Sequence, residues 1–316
     1  MKARDHGGGI DAAAARFGGT RDQWLDLSTG INPVPYPLPD LPAGAWTALP
    51  DTAAQTALTD AARRFWGLPK GAAIVAAPGT SALIARIPYL APPGRVAIQT
   101  PTYNEHAAAF AAARWEVIET IAAPGASATV LVNPNNPTGA WRDWPSGPFR
   151  LTIIDESFAD IDPTRSLIQR ATTPGTIVLK GLGKFWGLAG LRLGFAMGDP
   201  RLIEKLTGLL GPWAVSGPAL AIGTAALQDF DWAHRTRDRL TADADRLDAI
   251  ATAAGATVAG GTPLFRLYSV RDAAGLRGRL AHHRIWTRVF PWSASLIRVG
   301  LPGPDDWPRV ERAWTS

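Results

Sequence analysis

Lys184 and Arg192 stand eight residues apart in GKFWGLAGLRLGF (residues 183 to 195), directly behind the apolar run TIVLK. An amine at the end of a strand can add to an aldehyde, and a guanidinium can clamp a phosphate through its planar fork of donors. Gly187, Gly190 and Gly194 let the backbone of this stretch pass close to such a phosphate. The chain has only five lysines (Lys2, Lys70, Lys180, Lys184 and Lys205), so an amine mechanism has few candidates.

Further stretches carry groups suited to the same chemistry. In AAPGTSALI an apolar run ends and Gly79, Thr80 and Ser81 open a helix, whose free amides and dipole favour an anion. Tyr103, in TPTYNE, follows the next apolar run. VNPNNPTG (132 to 139) presents Asn136 after another one, 48 residues before Lys184, although Asn-Pro-Thr-Gly taken alone is simply a good turn sequence. In IIDESFAD (153 to 160) Asp155 closes an apolar run, a place where an acidic pair otherwise reads as a helix start.

The elements that must position these residues show in the hydrophobic pattern. From about 51 to 215, helix-like segments such as TAAQTALTDAARRFWG alternate with the runs AAIVAA, RVAIQT, WEVIETI, TVLVN, LTIIDES, TIVLKGL and LRLGFAM. Continuous apolar strands imply a sheet covered on both faces, as in open α/β folds, with functional groups at the carboxyl ends of the strands. After Gly139 only AWRDWPSGPFR precedes the next strand, too little for a crossover helix. The proline-rich INPVPYPLPDLP cannot be regular helix or inner strand. Residues 1 to 50 therefore read as an extended arm, 51 to 216 as a large cofactor-binding domain, and 217 to 316 as a small C-terminal domain. In the last, a long helix near 233 to 254 puts Leu240, Leu247 and Ile250 on one face, and LFRLYSV, RIWTRVF and SLIRVGL look like strands.

Together the segments around Lys184, Asn136 and Asp155 resemble those of class I and II aminotransferases and their decarboxylase relatives, from about His6 to Arg298. The resemblance implies the α/β fold of pyridoxal phosphate-dependent transferases, fold type I: a large domain with a mostly parallel sheet, a smaller α+β C-terminal domain, and an N-terminal arm that packs with the latter. It implies pyridoxal 5'-phosphate as cofactor. Lys184, rather than Lys180, would hold its aldehyde; Gly79, Thr80, Ser81 and Arg192 its phosphate; Tyr103 its ring face; Asn136 its phenolic oxygen. Asp155 would sit beside the pyridine nitrogen, where a carboxylate keeps the ring protonated and able to accept electrons. Lys184 and Asp155 are thus the expected catalytic pair. Phe158 stands where aminotransferases usually carry tyrosine, which favours the decarboxylase branch.

HGGGIDAAAARFGG, LDLSTGINP and GPWAVSGPALAIGTAALQD resemble one subgroup, the L-threonine O-3-phosphate decarboxylases of cobalamin biosynthesis. That implies a small phosphorylated amino acid as substrate and (R)-1-amino-2-propanol O-2-phosphate as product, with His6, Gly30, Asn136, Arg288 and Arg298 around the substrate. Arg298 would pair with its carboxylate and His6 and Arg288 lie near its phosphate. Leu49, Gly181 and Gly30 replace the subgroup's tyrosine, serine and asparagine, and Thr80, Ser81, Lys180 and Arg192 are candidates to supply the missing hydrogen bonds. A histidinol-phosphate-type aminotransferase is the alternative, and a non-catalytic partner in corrin biosynthesis a third. The resemblance also implies a homodimer, and it makes other cobalamin-pathway enzymes candidate partners.

Composition narrows the field further. Without cysteine there is no disulfide, thiolate nucleophile or cysteine metal site, and the five histidines lack metal-ligand spacing. The net charge of +5 comes from scattered arginines rather than a basic stripe, so a small anionic substrate accounts for it and nucleic acid is not expected. No apolar run approaches the ~20 residues that span a bilayer, and MKARDHGGGID lacks the apolar core of a signal peptide; the expectation is a cytoplasmic enzyme with no membrane partner.

Overall fold

The computed structural model describes residues 6–120 and 124–315. Two compact units share the chain: Pro35–Asn136 with Trp141–His234 form the larger, and the residues up to Val34, Pro137–Ala140 and those from Arg235 onward the smaller.

All seven apolar runs become strands of one sheet in the larger unit. Its order is Ala73–Ala77, Gly194–Gly198, Thr176–Gly181, Leu151–Asp155, Ala128–Val132, Arg95–Ile98 and Glu116–Ile118. Pairing is parallel except at Gly194–Gly198, which runs antiparallel to both neighbours. Every residue of the strands from Gly194–Gly198 to Ala128–Val132 is buried, which is why they read as unbroken apolar runs. Ile153, Ile177 and Leu179 pack with Phe110, Trp115, Ile203 and Leu206. No described helix interrupts the link from Val132 to Leu151; instead the guanidiniums of Arg165 and Arg170 lie 4.8 and 5.5 Å from the ring centres of Trp141 and Trp144.

The helix Thr52–Phe65 starts where Asp51 accepts the amide of Ala54 at 2.8 Å. It packs against Gly217–Gln228, and Gly223 makes that approach possible, because a Cβ there would run into Leu193 and Leu58. This contact holds Gly217–Gln228 in the larger unit, so the boundary falls at His234, later than the 216/217 division that the hydrophobic pattern suggests.

A polar cluster lies under the sheet's carboxyl end. Lys180, 1 % exposed, pairs with Glu156 at 2.8 Å and Asp160 at 3.5 Å. Asp160 also accepts the indole N–H groups of Trp66 (2.8 Å) and Trp186 (3.1 Å); Glu156 accepts the Ser166 hydroxyl and the Leu167 amide. Burial pushes the ammonium towards its neutral form, but the two carboxylates outweigh it and hold its pKa above the ordinary lysine value.

In the smaller unit the strands Arg288–Phe290, Ser293–Gly300, Phe265–Ser269 and Thr257–Thr262 form an antiparallel sheet in that order. The N-terminal segment is less extended than its glycines and prolines suggested: Ile10–Phe17 is a helix whose Ile10 and Ala13 bury against Trp24 and Ala281. Short-range apolar spacing in IDAAAARF outweighs the flanking glycines once that hydrophobic partner exists. Leu25–Asp26 then pairs parallel with Ile285–Trp286, so this part of the arm is tied to the C-terminal segment. Residues 137–140 join the same unit because Gly261 donates to Thr138 at 2.9 Å and Gly139, at φ 72°, lies against the Gly261 carbonyl where no Cβ would fit.

Replacing Lys180 by Met leaves two buried carboxylates uncompensated and is expected to cost about 3–5 kcal/mol in denaturant unfolding. Neutralising Glu156 and Asp160 as well, to Gln and Asn, should recover part of that loss. An unchanged midpoint in the single variant would refute the role given to the cluster.

Candidate active site

A cavity of about 250 Å³ opens in the larger unit, at the carboxyl ends of its strands. Gly79, Thr80, Ser81, Tyr103, Asn136, Asp155, Lys184 and Arg192 all line it, together with Ser157, Phe158 and Gly181. The eight residues to which the resemblance gives cofactor roles thus meet around one space.

Each arrives by a local route. Ala77 ends its strand opposite Gly194, and the chain turns through Gly79 at φ 86° into the short helix Thr80–Ile84. A Cβ on Gly79 would lie 2.6 Å from Arg192 Nη2, and one on Gly194 would lie 2.5 Å from the Thr80 amide, so both glycines are required for the turn to approach. Arg192 itself caps the 3₁₀ turn Ala189–Leu191 in the left-handed region (φ 53°) and donates to the Ala189 carbonyl at 3.1 Å. The cationic end of the cavity is therefore built from two backbone conformations that few side chains tolerate.

Lys184 and Lys180 separate cleanly. Lys184 is half-buried on the cavity wall, its Nζ 5.4 Å from the ring centre of Phe158. Lys180 is engaged by Glu156 and Asp160 and is not among the described lining residues, which removes it as a substitute for the missing phosphate contacts. Gly181 lines the cavity 3.6 Å, at its virtual Cβ, from Thr80 Oγ1. Leu49 is exposed.

Asp155, 3 % exposed, has both oxygens engaged. Oδ2 lies 2.8 Å from His106 Nε2; Oδ1 accepts the Ser157 hydroxyl at 2.6 Å and the Ser157 amide at 3.0 Å. Burial alone pushes this carboxyl up, but the hydrogen bond and charge of His106, followed by Ser157, outweigh it and hold it below the ordinary carboxylate value. His106 and Ser157 were not selected from sequence. Asp-x-Ser is a legible local motif, which recurs at Asp26 and Ser28; nothing in sequence ties His106 to a carboxylate 49 positions away.

Of the residues expected around a substrate, His6, Gly30, Arg288 and Arg298 lie in the smaller unit, while Asn136 lines the cavity in the larger one. Arg298, 6 % exposed, donates to the Ser28 carbonyl at 2.6 Å and pairs in register with Arg288. Burial and then the Arg288 charge push it down to about 10, against the pull of Asp26. Ser28 Oγ accepts the Gly8 amide at 2.6 Å, and Gly7 lies so close to the Ser28 carbonyl that a Cβ would collide at 2.5 Å. The glycine segment behind the exposed His6 is thus brought to Ser28 and, through it, to Arg298; Gly30 is buried two residues further on.

A seven-stranded, mostly parallel sheet with a lysine, an aspartate, an asparagine and an arginine around one cavity defines a class, and the chain belongs to the aminotransferase class I and II family, whose model matches residues 25–288. It is 42% identical over 320 residues to a threonine-phosphate decarboxylase of Sinorhizobium sp, covering 95% of this chain and 93% of that protein. To a threonine-phosphate decarboxylase of Pseudomonas aeruginosa it is 38% identical over 325 residues, covering 98% and 96%. Among solved structures, histidinol-phosphate aminotransferase from Sinorhizobium meliloti in complex with pyridoxal-5'-phosphate superimposes with a TM-score of 0.79 at 18% identity, over 99% of this chain and 95% of that one. At that identity the likeness concerns the fold.

The sign of the Asp155 shift makes a prediction. A carboxyl held low in the folded state contributes stability that is present above its unfolded value and is lost as pH falls through the lower folded one. In His106→Gln, burial dominates, Asp155 moves up, and acid unfolding should begin at a higher pH than in wild type. Acid titration followed by circular dichroism measures this, and superimposable transitions would contradict it.

Proposed function

We propose that the chain is a carboxy-lyase that uses pyridoxal 5'-phosphate to decarboxylate L-threonine O-3-phosphate to 1-amino-2-propanol O-2-phosphate. What carries this is the 42 and 38% identity to threonine-phosphate decarboxylases over almost the entire chain. Phe158 on the cavity wall, where aminotransferases usually have tyrosine, points the same way.

The cavity's donors suit the cofactor. Gly79 leaves a cradle beside Arg192 that a Cβ would fill, Thr80 and Ser81 add hydroxyls there, and an anionic carboxylate and an amine share the same space. Gly79, Thr80, Ser81 and Arg192 would hold the phosphate, Tyr103 the ring face, Asn136 the phenolic oxygen, Asp155 the ring nitrogen and Lys184 the aldehyde. When bound, the cofactor supplies an electron sink for the bond to the departing carboxylate. His106 and Ser157 hold Asp155 anionic, and in that state it would keep a proton on the ring nitrogen of a bound cofactor. Lys184 Nζ, held over the Phe158 ring, delivers a proton to the substrate's α-carbon after CO2 leaves. Phe158 contributes no hydroxyl to compete for that proton. By the resemblance, Arg298 would pair with the substrate carboxylate, and His6 and Arg288 would serve its phosphate.

A homodimer and a cytoplasmic location belong to the same proposal. Leu38, Trp46, Leu49 and Trp213 of the larger unit are each more than half exposed, and large apolar side chains in water mark an interface. No described helix is long and apolar enough to cross a membrane. Trp46→Glu combined with Trp213→Glu should shift sedimentation from dimer to monomer; a wild-type monomer would refute the dimer.

Incubation of the apoprotein with pyridoxal phosphate and L-threonine O-3-phosphate, without any oxo acid, tests the reaction. Aminopropanol phosphate and CO2 are expected from wild type, with turnover reduced at least about a thousandfold in Lys184→Ala. Stoichiometric dependence on 2-oxoglutarate with no CO2 would identify an aminotransferase instead.

A further inference from the structure

We propose that Thr102 and Asn135 form a bridge that sets the spacing between Tyr103 and Asn136, and that both are positioning residues for the cofactor; this rests on the cofactor assignment above. Tyr103 and Asn136 line the cavity from two different loops, which follow the neighbouring parallel strands Arg95–Ile98 and Ala128–Val132. The backbone register of those strands ends at Ile98 opposite Val130, so the ladder does not reach either loop residue. Asn135 continues the linkage with its side chain. Its Oδ1 accepts the Thr102 hydroxyl at 2.6 Å, and its Nδ2 donates to the Pro101 carbonyl at 3.1 Å.

Each end of this bridge sits one residue before a cavity residue: Thr102 before Tyr103, Asn135 before Asn136. Neither Thr102 nor Asn135 is among the described lining residues, so their bond to one another runs behind the cavity wall. Asn135 is 7 % exposed, and a hydrogen bond in such a setting is stiffer than one in water. On the far side of Tyr103 the helix Asn104–Ala112 begins, with His106 in its first turn and bonded to Asp155. The Tyr103 backbone is therefore fixed from both directions, by the bridge and by the helix. A ring that stacks and an amide that donates to the same planar group must hold their separation to within about 0.5 Å. A cross-loop bridge directly behind both is the means this chain has of doing so.

The probe is pyridoxamine 5'-phosphate, which lacks the aldehyde and so reports fit rather than covalent capture, titrated into apoprotein by calorimetry. Thr102→Val removes the hydroxyl at constant volume and is expected to weaken binding about tenfold, the equivalent of one net hydrogen bond; Thr102→Ser should bind as wild type. The decisive measurement is a double-mutant cycle: if the bridge acts through its neighbours, the Thr102→Val effect should shrink below twofold in a Tyr103→Leu, Asn136→Ala background. An undiminished effect there means a purely structural role and overturns the proposal, as does unchanged affinity in Thr102→Val with wild type binding normally. Failure of wild type itself to bind either pyridoxal 5'-phosphate or the probe would overturn the cofactor assignment first, and this inference with it.

Discussion

The ion cluster of Lys180, Glu156 and Asp160 is the constraint on which the larger unit turns. It joins the ends of two adjacent central strands, the C-cap residue of the helix Thr52–Phe65 through Trp66, and the turn behind Lys184 through Trp186. Taking three charges out of water is unfavourable unless each is matched, and here each carboxylate receives neutral donors in addition to the ammonium. Such a cluster is worth little relative to an apolar replacement of the same shape. Its consequence is geometric: it admits one arrangement of those elements, and that arrangement puts Lys184 and Asp155 on a common wall.

Asp155 and Glu156 show how neighbouring carboxylates are sorted into different tasks. At the end of a strand, successive side chains point to opposite faces. One faces the cavity and is held anionic by His106 and Ser157; the other faces the interior and is neutralised by Lys180. Two lysines four positions apart are divided in the same way, Lys180 into the cluster and Lys184 towards solvent-accessible space. The charge opposite each group, rather than its residue type, determines its role.

The cationic end of the cavity follows a backbone logic. Gly79 and Arg192 both have positive φ, Arg192 in the left-handed helical region, and the guanidinium lies where a side chain on residue 79 would be. The virtual Cβ of Gly181 lies 3.6 Å from Thr80 Oγ1, so the threonine hydroxyl stands beside the space that the glycine leaves open. In the smaller unit the same economy of space brings Gly7 against Ser28, whose carbonyl also receives Arg298.

By itself the sequence determined the seven strands, because both faces of the central ones are covered and every position must be apolar. Eight of the cavity residues were also legible in it, because an amine, an amide, a carboxylate and a glycine-rich turn at strand ends form motifs that the resemblance could be read on. Helix Ile10–Phe17 was hidden because its stability comes from Trp24 and Ala281, far along the chain or across a turn, and not from its own eight residues. His106 beside Asp155, the partners of Lys180 and the bridge from Asn135 to Thr102 were decided only in the folded chain. Each joins groups on separate strands or loops. Side-chain pairing between such segments depends on register and burial, which no spacing within either segment encodes.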